Sequence, residues 1–221
     1  MTKPDRTIIA VALAIGAYGF AFGVVATGTG LRGVHVAVMS VFAYSGGAQA
    51  AFVQTLASGT PAAAAFAGLA VNSRLVVYGT LAARTLKAEP VWKRLLGAHL
   101  ASDETIAITA AAEPNDAGAT YWVSGICFFV VWVATTVTGA IVGDTIANPA
   151  TLGIDAAFPA VFAVLLIPFL TNTATRLAAL AGAIVALIAV PTLPVGMPVV
   201  AAVAAGLTIG VIGRPKIATE P

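Results

Sequence analysis

The chain has 221 residues, of which 59% are hydrophobic and 9% are charged, and its formal net charge is +2. A soluble globular domain carries about 25% charged residues, so this chain lacks the charges needed to cover a water-facing surface. Its basic residues are scattered through short segments between apolar runs, which argues against a nucleic acid partner. We therefore expect one all-α integral membrane domain that covers residues 1–221 and has the lipid bilayer as its main solvent.

Three apolar segments in the first part of the chain predict membrane-spanning helices at about residues 8–29, 34–57 and 62–83. Each segment is close to the length of about 20 residues that crosses a hydrocarbon core. Gly19 and Gly23 lie four positions apart in the first segment, in a GxxxG pattern that favours close contact with another helix.

The remaining segments differ in length and polarity. A polar and basic loop is expected at residues 84–94. The stretch at 99–112 is too short and too polar at its start to span, so we place it at the membrane interface or packed against the bundle. Four further spans are expected at residues 121–146, 156–170, 176–190 and 194–212. The sequence therefore predicts a polytopic transmembrane helix bundle of about seven spans.

The lysine and arginine residues of the short loops predict how this bundle is oriented. Seven spans place most of them on one side of the membrane and only Lys3 and Arg6 on the other. By the positive-inside rule, we expect a cytoplasmic C-terminus in a bacterial-type plasma (inner) membrane. An inverted three-plus-one-plus-three repeat with broken helices, with the 121–146 span as the single one, stays open as an alternative.

Three polar side chains of the second and third spans, Gln49, Asn72 and Arg74, fall near the middle of the membrane. Gln49 lies about ten residues before the intervening turn and Asn72 about twelve after it, so their levels differ by about 3 Å. An arginine near the bilayer centre costs at least about 2.5–3.5 kcal/mol, so Arg74 is expected to face the bundle interior. Either these side chains line a cavity in which Arg74 meets a substrate carboxylate, or they hydrogen-bond one another and fix two helices.

Gly46 and Gly47, in the middle of the second span next to Ser45, mark a place where the helix is expected to unwind. Unwound backbone at membrane depth is tolerated where it lines protein or a water-filled cavity. Its free N–H groups would attract a carboxylate, and its free carbonyl groups would attract an ammonium group. Tight packing of small residues is the alternative.

Asp103 and Glu104 head an otherwise apolar helix that follows the basic loop. They are candidates for proton coupling, since a partly buried carboxyl group has a raised pKa. The alternative is an N-terminal cap, in which Ser102 or Asp103 accepts the first free N–H groups of the helix.

No pattern in the chain predicts catalysis. The sequence contains no HExxH, GxSxG or P-loop motif and only two histidines, His35 and His99, so a zinc site or a nucleophile–histidine pair would be hard to assemble. Cys127 stands alone, which excludes a disulfide framework and a thiolate metal site. We expect no enzymatic activity, no metal ion and no cofactor.

Several motifs occur in an order and spacing typical of one family. They are Gly19-Phe20-Ala21-Phe22-Gly23, Met39-Ser40 followed by Gly47-Ala48-Gln49, Asn72-x-Arg74 ending in Tyr78, His99-Leu100-x-x-Asp103-Glu104, and then Trp132, Gly139, Gly143 and Leu152-Gly153-Ile154-Asp155. Over about residues 18–170 the chain therefore resembles the AzlC family, which is described as the large subunit of branched-chain amino acid exporters.

The resemblance implies proton-driven export of valine, leucine, isoleucine and similar hydrophobic amino acids. It also implies a small, separately encoded membrane partner of the AzlD type. The matching positions are Gly47, Gln49, Asn72, Arg74, Tyr78, Asp103 and Glu104. With the residues of the expected helix break, the candidate substrate-binding set is Ser45, Gly46, Gly47, Gln49, Asn72, Arg74 and Tyr78, and the coupling candidates are Asp103 and Glu104.

Two departures from the family pattern bear on mechanism. Ala17 and Tyr18 stand where the family usually has proline and phenylalanine, and Leu75 stands where it usually has histidine, which puts the coupling mechanism in question. A secondary transporter is the leading hypothesis. A channel or facilitator for a small solute and a structural membrane subunit without transport of its own are the alternatives, and assembly into a homo-oligomer stays open.

Overall fold

The computed structural model describes residues 3–145, 170–193 and 197–212, and all regular structure within these ranges is helical. The helices are α1 (Lys3–Gly28), α2 (Gly33–Phe42), α3 (Gly46–Ser58), α4 (Pro61–Asn72), α5 (Leu75–Thr85), α6 (Val91–His99), α7 (Asp103–Ala110), α8 (Ala117–Gly143), α9 (Thr173–Ala189) and α10 (Met197–Ile212). The predicted all-α class is confirmed for the described part of the chain.

The two longest helices, α1 and α8, pack along each other and form the centre of the bundle. Their contact depends on glycine, because a side chain at Gly23 would collide with the backbone of Thr136, and one at Gly139 with the backbone of Phe20. The GxxxG pattern therefore marks a close helix contact, as predicted. Helices of 26 and 27 residues rise by about 40 Å, which is enough to cross a hydrocarbon core of about 30 Å.

The second predicted span is broken, as the paired glycines indicate, but the non-helical residues lie just before them. α2 ends at Phe42 and α3 begins at Gly46, so both glycines belong to the first turn of α3. The side-chain amide of Gln49 donates hydrogen bonds to the carbonyl oxygens of Met39 (2.8 Å) and Ala43 (2.9 Å). These bonds stabilise the end of α2, where backbone carbonyl groups have no further helical turn to bind.

A second side chain reaches the same helix end from α6. His99 is the last residue of α6, and its Nε2 atom lies 2.8 Å from the carbonyl oxygen of Val41. This distance requires the Nε2–H tautomer, since a carbonyl oxygen can only accept. The ring also makes an edge contact with Phe129 and a tilted contact with Tyr44. His99 therefore ties α6 to the break.

The third predicted span is also interrupted, which its apolar pattern did not indicate. α4 and α5 meet at an angle of 43°. In the break, the Ser73 hydroxyl group donates a hydrogen bond to the carbonyl oxygen of Ala70 (2.7 Å). Arg74, the next residue, therefore lies at a kink and not within a straight helix.

The basic loop predicted at residues 84–94 is shorter than expected and comprises residues 86–90. α5 continues to Thr85, and α6 begins at Val91 directly after Pro90. Lysine, arginine and glutamate are about as favourable in a helix as leucine, so polarity alone did not exclude helical structure here. Lys93 and Glu89, one helical turn apart, form an ion pair with 3.1 Å between Nζ and Oε2.

Of the two placements expected for residues 99–112, packing against the bundle is the one observed. α7 lies on α8, and its Thr105 and Ile106 are buried. Ile106 shares a small apolar cluster with Leu86 and Tyr121, and the Tyr121 hydroxyl group donates a hydrogen bond to the carbonyl oxygen of Gly97 (2.7 Å). α6, α7 and α8 are thereby fixed to one another.

The C-terminal helices form a separate pair. α9 begins at Thr173, slightly earlier than predicted, because Asn172 caps it by accepting a hydrogen bond from the Thr175 N–H group (3.0 Å). α9 packs mainly against α10, where Gly182 lies close to the Ala202 carbonyl group. The span predicted at 156–170 falls, apart from Leu170, outside the described residues.

Within the described residues, two helices are long and apolar enough to cross a membrane, and a third span is obtained if α4 and α5 are counted as one bent unit. α2, α9 and most of α10 are apolar but shorter. The bundle of about seven spans and the inverted repeat therefore stay predictions.

The hydrogen bonds of Gln49 lead to a prediction about stability. Gln49→Leu removes both donors from the end of α2. The Met39 carbonyl oxygen keeps its bond from the Ala43 N–H group (2.8 Å), but the Ala43 carbonyl oxygen loses the Gln49 amide, and a buried acceptor that loses its partner costs about 1–3 kcal/mol. Thermal unfolding of the detergent-purified protein should therefore begin at a clearly lower temperature. Gln54→Leu is the matched control, because Gln54 is exposed on the same helix. Equal melting temperatures for the two variants would show that the break does not depend on the Gln49 amide.

Candidate functional site

A cavity of about 290 Å³ lies where the break between α2 and α3 meets α1, α5, α7 and α8. Its lining combines aromatic rings, charged groups and glycine backbone from distant parts of the chain. The lining residues are Ile15, Tyr18, Tyr44, Ser45, Gly46, Gly47, Arg74, Leu75, Ala101, Ser102, Asp103, Glu104 and Trp132. An apolar wall with a few convergent polar groups is the usual form of a small-molecule site.

The first turn of α3 borders this cavity with free backbone N–H groups. Ser45 occupies the N-cap position, but its side chain makes no capping bond, and the first helical bond of α3 joins the Gln49 N–H group to the Ser45 carbonyl oxygen (2.9 Å). The N–H groups of Gly46 and Gly47 have no partner in the described part of the chain, and neither has the buried Ser45 hydroxyl group. Free N–H groups at the positive end of a helix dipole favour a bound anion.

Arg74 reaches the cavity from the kink between α4 and α5 and forms an ion pair with Asp103, with 2.7 Å between Nη2 and Oδ2. The two side chains are 40% and 30% exposed, so the pair is not sealed inside the protein. Gly47 makes room for the guanidinium group, because a Cβ atom there would lie 3.1 Å from Nη2. The Nε atom of Arg74 is buried without a partner, which leaves one donor that the ion pair does not use.

Three predicted substrate-binding residues lie outside the cavity lining. Gln49 is 2% exposed, and its amide is used at the end of α2. Asn72 is half-buried at the end of α4. Tyr78 packs against the cluster around Leu86, and its hydroxyl group interacts with the Asp103 carboxyl group. The predicted residues that the cavity does bring together are Ser45, Gly46, Gly47 and Arg74, with the coupling candidates Asp103 and Glu104.

The acidic residues border the cavity from the first turn of α7. The cap of this helix is Ser102, whose hydroxyl oxygen accepts a hydrogen bond from the Thr105 N–H group (3.2 Å). Of the two candidates for the cap, Ser102 fills this role, and the Asp103 carboxylate pairs with Arg74 instead. Burial raises the pKa of Glu104, and the charge of Asp103 adds to this effect, whereas the hydrogen bond from its own backbone N–H group, the Ser102 hydroxyl group and the charge of Arg74 oppose it. Glu104 therefore holds a proton more readily than an exposed glutamate does.

An aromatic wall faces the charged groups. The Trp132 ring lies 5.4 Å from the Tyr18 ring and 5.6 Å from the Phe22 ring, measured between centroids. Gly46 lets this ring approach α3, because a Cβ atom there would lie 2.9 Å from Trp132. The indole N–H group is buried without a partner. No local sequence pattern links positions 18, 46 and 132, so the sequence alone does not bring these residues together.

Metal binding receives no support from the described residues. Among them, no three histidine, cysteine, aspartate or glutamate side chains lie close enough together to hold a metal ion. Cys127 is half-buried and forms no disulfide bond in the described part of the chain.

Comparison with known proteins gives one match. A family model described as AzlC protein matches residues 10–146, which is more than half of the chain and includes every residue that lines the cavity. No curated protein and no solved structure matches the chain.

The raised pKa of Glu104 leads to a prediction about pH. Burial penalises the charged Glu104 carboxylate in the folded protein. The free energy of unfolding of the wild type therefore falls as the pH rises above the ordinary glutamate pKa of about 4.3 and through the higher pKa of the folded state. The loss is about 1.4 kcal/mol for each pH unit between these two pKa values. Glu104→Gln should therefore raise the melting temperature at pH 7–8, and the gain should vanish near pH 4. Glu113→Gln, at an exposed site, should change neither value. A gain that persists unchanged at pH 4 would contradict this explanation.

Proposed function

The chain belongs to the AzlC family, and on that premise we propose that it exports branched-chain or similar hydrophobic amino acids as the large subunit of a two-component secondary transporter. The family and the long apolar helices indicate a membrane protein. We place it in the plasma (inner) membrane of a bacterial-type cell with a cytoplasmic C-terminus, the orientation that its lysine and arginine residues favour.

The observation that carries the proposal is the arrangement of groups around the cavity. Arg74 and the free N–H groups of Gly46 and Gly47 are positive groups on adjacent walls. Together they suit the carboxylate of an amino acid, which a guanidinium group can bind through two parallel hydrogen bonds. A volume of about 290 Å³ lies at the lower end of the range for ligand sites, which suits one small molecule.

The other wall suits an aliphatic side chain. Ile15, Leu75 and Trp132 contribute apolar surface to the cavity, and a valine or leucine side chain requires no hydrogen-bond partner. Each CH₂ group that is buried there contributes about 0.8 kcal/mol. We therefore expect modest discrimination among leucine, isoleucine and valine.

Proton coupling and the second subunit are further parts of the proposal. Glu104 supports coupling, because its carboxyl group borders the cavity and has a raised pKa. The small AzlD-type membrane partner is proposed from the family alone. We propose no catalytic step and no cofactor, and homo-oligomer formation is compatible with this function.

Arg74→Lys is the variant that tests the function most sharply. In cells fed with leucine-containing dipeptides, overproduction of the chain with its small partner should lower intracellular leucine. Arg74→Lys should reduce the export rate at least tenfold while the protein still reaches the membrane, because lysine cannot present a planar fork to a carboxylate. Arg84→Lys is the matched control. Arg84 is exposed in the last turn of α5, and the variant should export leucine at the wild-type rate.

Two outcomes would contradict the proposal in different ways. If wild-type protein and its partner leave intracellular branched-chain amino acids unchanged, the substrate assignment is wrong. If leucine leaves the cell equally well after the proton gradient is collapsed, the protein is a facilitator and not a coupled exporter.

A further inference from the structure

Several carbonyl oxygens at the helix break already have a donor. Unwound backbone can bind a cation through its carbonyl oxygens. Here the carbonyl oxygens of Met39 and Ala43 accept from the Gln49 amide, and that of Val41 is bound by His99. A carboxylate in the cavity lining is a stronger partner for a positively charged substrate group than a neutral carbonyl oxygen is.

Two carboxyl groups line the cavity, those of Asp103 and Glu104. Of these, only Asp103 lies within ion-pair distance of a basic group in the described part of the chain. Asp103 binds Arg74, the residue that we expect to bind the substrate carboxylate. In the empty protein the Asp103 carboxylate therefore occupies the position expected for the substrate carboxylate.

The Arg74–Asp103 pair is accessible to a ligand in the cavity. Both side chains line the cavity and are partly exposed. The Arg74 guanidinium group has five N–H donors, and the ion pair joins only Nη2 to Asp103, so a second carboxylate can bind before the first one leaves. A ligand that brings one positive and one negative group satisfies both residues, whereas a ligand with one charge leaves a partner unpaired.

We infer that Asp103 is the residue that recognises the α-ammonium group, and that Arg74 and Asp103 exchange each other for the two ends of a zwitterionic amino acid. In the empty protein the two side chains close on each other. In the occupied protein the substrate carboxylate binds Arg74 and the ammonium group binds Asp103. This inference rests on the proposed function, since it assigns the chemical class of substrate to the same cavity.

The discriminating experiment measures binding of three ligands to the purified full-length protein with its partner. L-leucine carries both charges, 4-methylpentanoate lacks the ammonium group, and 3-methylbutylamine lacks the carboxylate. The wild-type protein should bind leucine at least tenfold more tightly than either analogue. In Asp103→Asn, leucine should bind at least tenfold more weakly, while 4-methylpentanoate should bind equally well or better because Arg74 has lost its internal competitor.

The matched control is Glu89→Gln, which removes the Lys93–Glu89 ion pair away from the cavity lining and should leave all three affinities unchanged. Equal weakening of leucine and 4-methylpentanoate in Asp103→Asn, or no weakening of leucine, would overturn the inference and leave the proposed function in place. If Asp103→Asn does not fold, the affinities of the three ligands for the wild-type protein test the inference. Binding of 4-methylpentanoate as tightly as leucine would exclude an ammonium site. Absence of leucine binding to the folded wild type would overturn both proposals.

Discussion

A helix that ends inside a membrane bundle releases backbone groups that lipid cannot satisfy. At the end of α2 this requirement is met by Gln49 and His99, which supply donors to the carbonyl oxygens. At the start of α3 it is not met, because Ser45 makes no capping bond. The break therefore has one end closed by side chains and one open end, and the open end borders the cavity.

The same asymmetry determines the electrostatics of the cavity. The start of α3 is the positive end of a helix dipole, and Arg74 adds a full positive charge beside Gly47. Asp103 offsets this charge, with 2.7 Å between Nη2 and Oδ2. The cavity therefore holds one positive and one negative side chain next to each other, and from this arrangement we infer a zwitterionic ligand.

Part of this organisation could be predicted from the sequence. Composition and apolar segment length predicted the helical class, the glycine pattern predicted that α1 makes a close contact with another helix, and Gly46-Gly47 placed the break within a few residues. Each of these predictions depends on a local pattern or on distance along one helix.

The rest depends on contacts between distant segments. Rise along a helix gives the level of Arg74 but not the neighbour it meets, so its pairing with Asp103 could not be derived. The approach of Trp132 to Gly46 likewise requires α8 to cross α3 at one particular point. Hydropathy also does not distinguish one continuous span from two shorter helices, which is why the kink at Ser73 was not predicted.

The central claim is that polar groups surround a water-accessible cavity at membrane depth, and cysteine labelling tests it most directly. In a Cys127→Ala background, Leu75→Cys places a thiol in the cavity lining, whereas Leu69→Cys places one on the preceding half of the same bent span, at a side chain that is 70% exposed on the outer surface of the bundle. In intact membranes a charged methanethiosulfonate reagent should modify the half-buried position 75 and not the more exposed position 69, because lipid covers the latter. Modification of position 69 alone, or of neither position, would contradict the account.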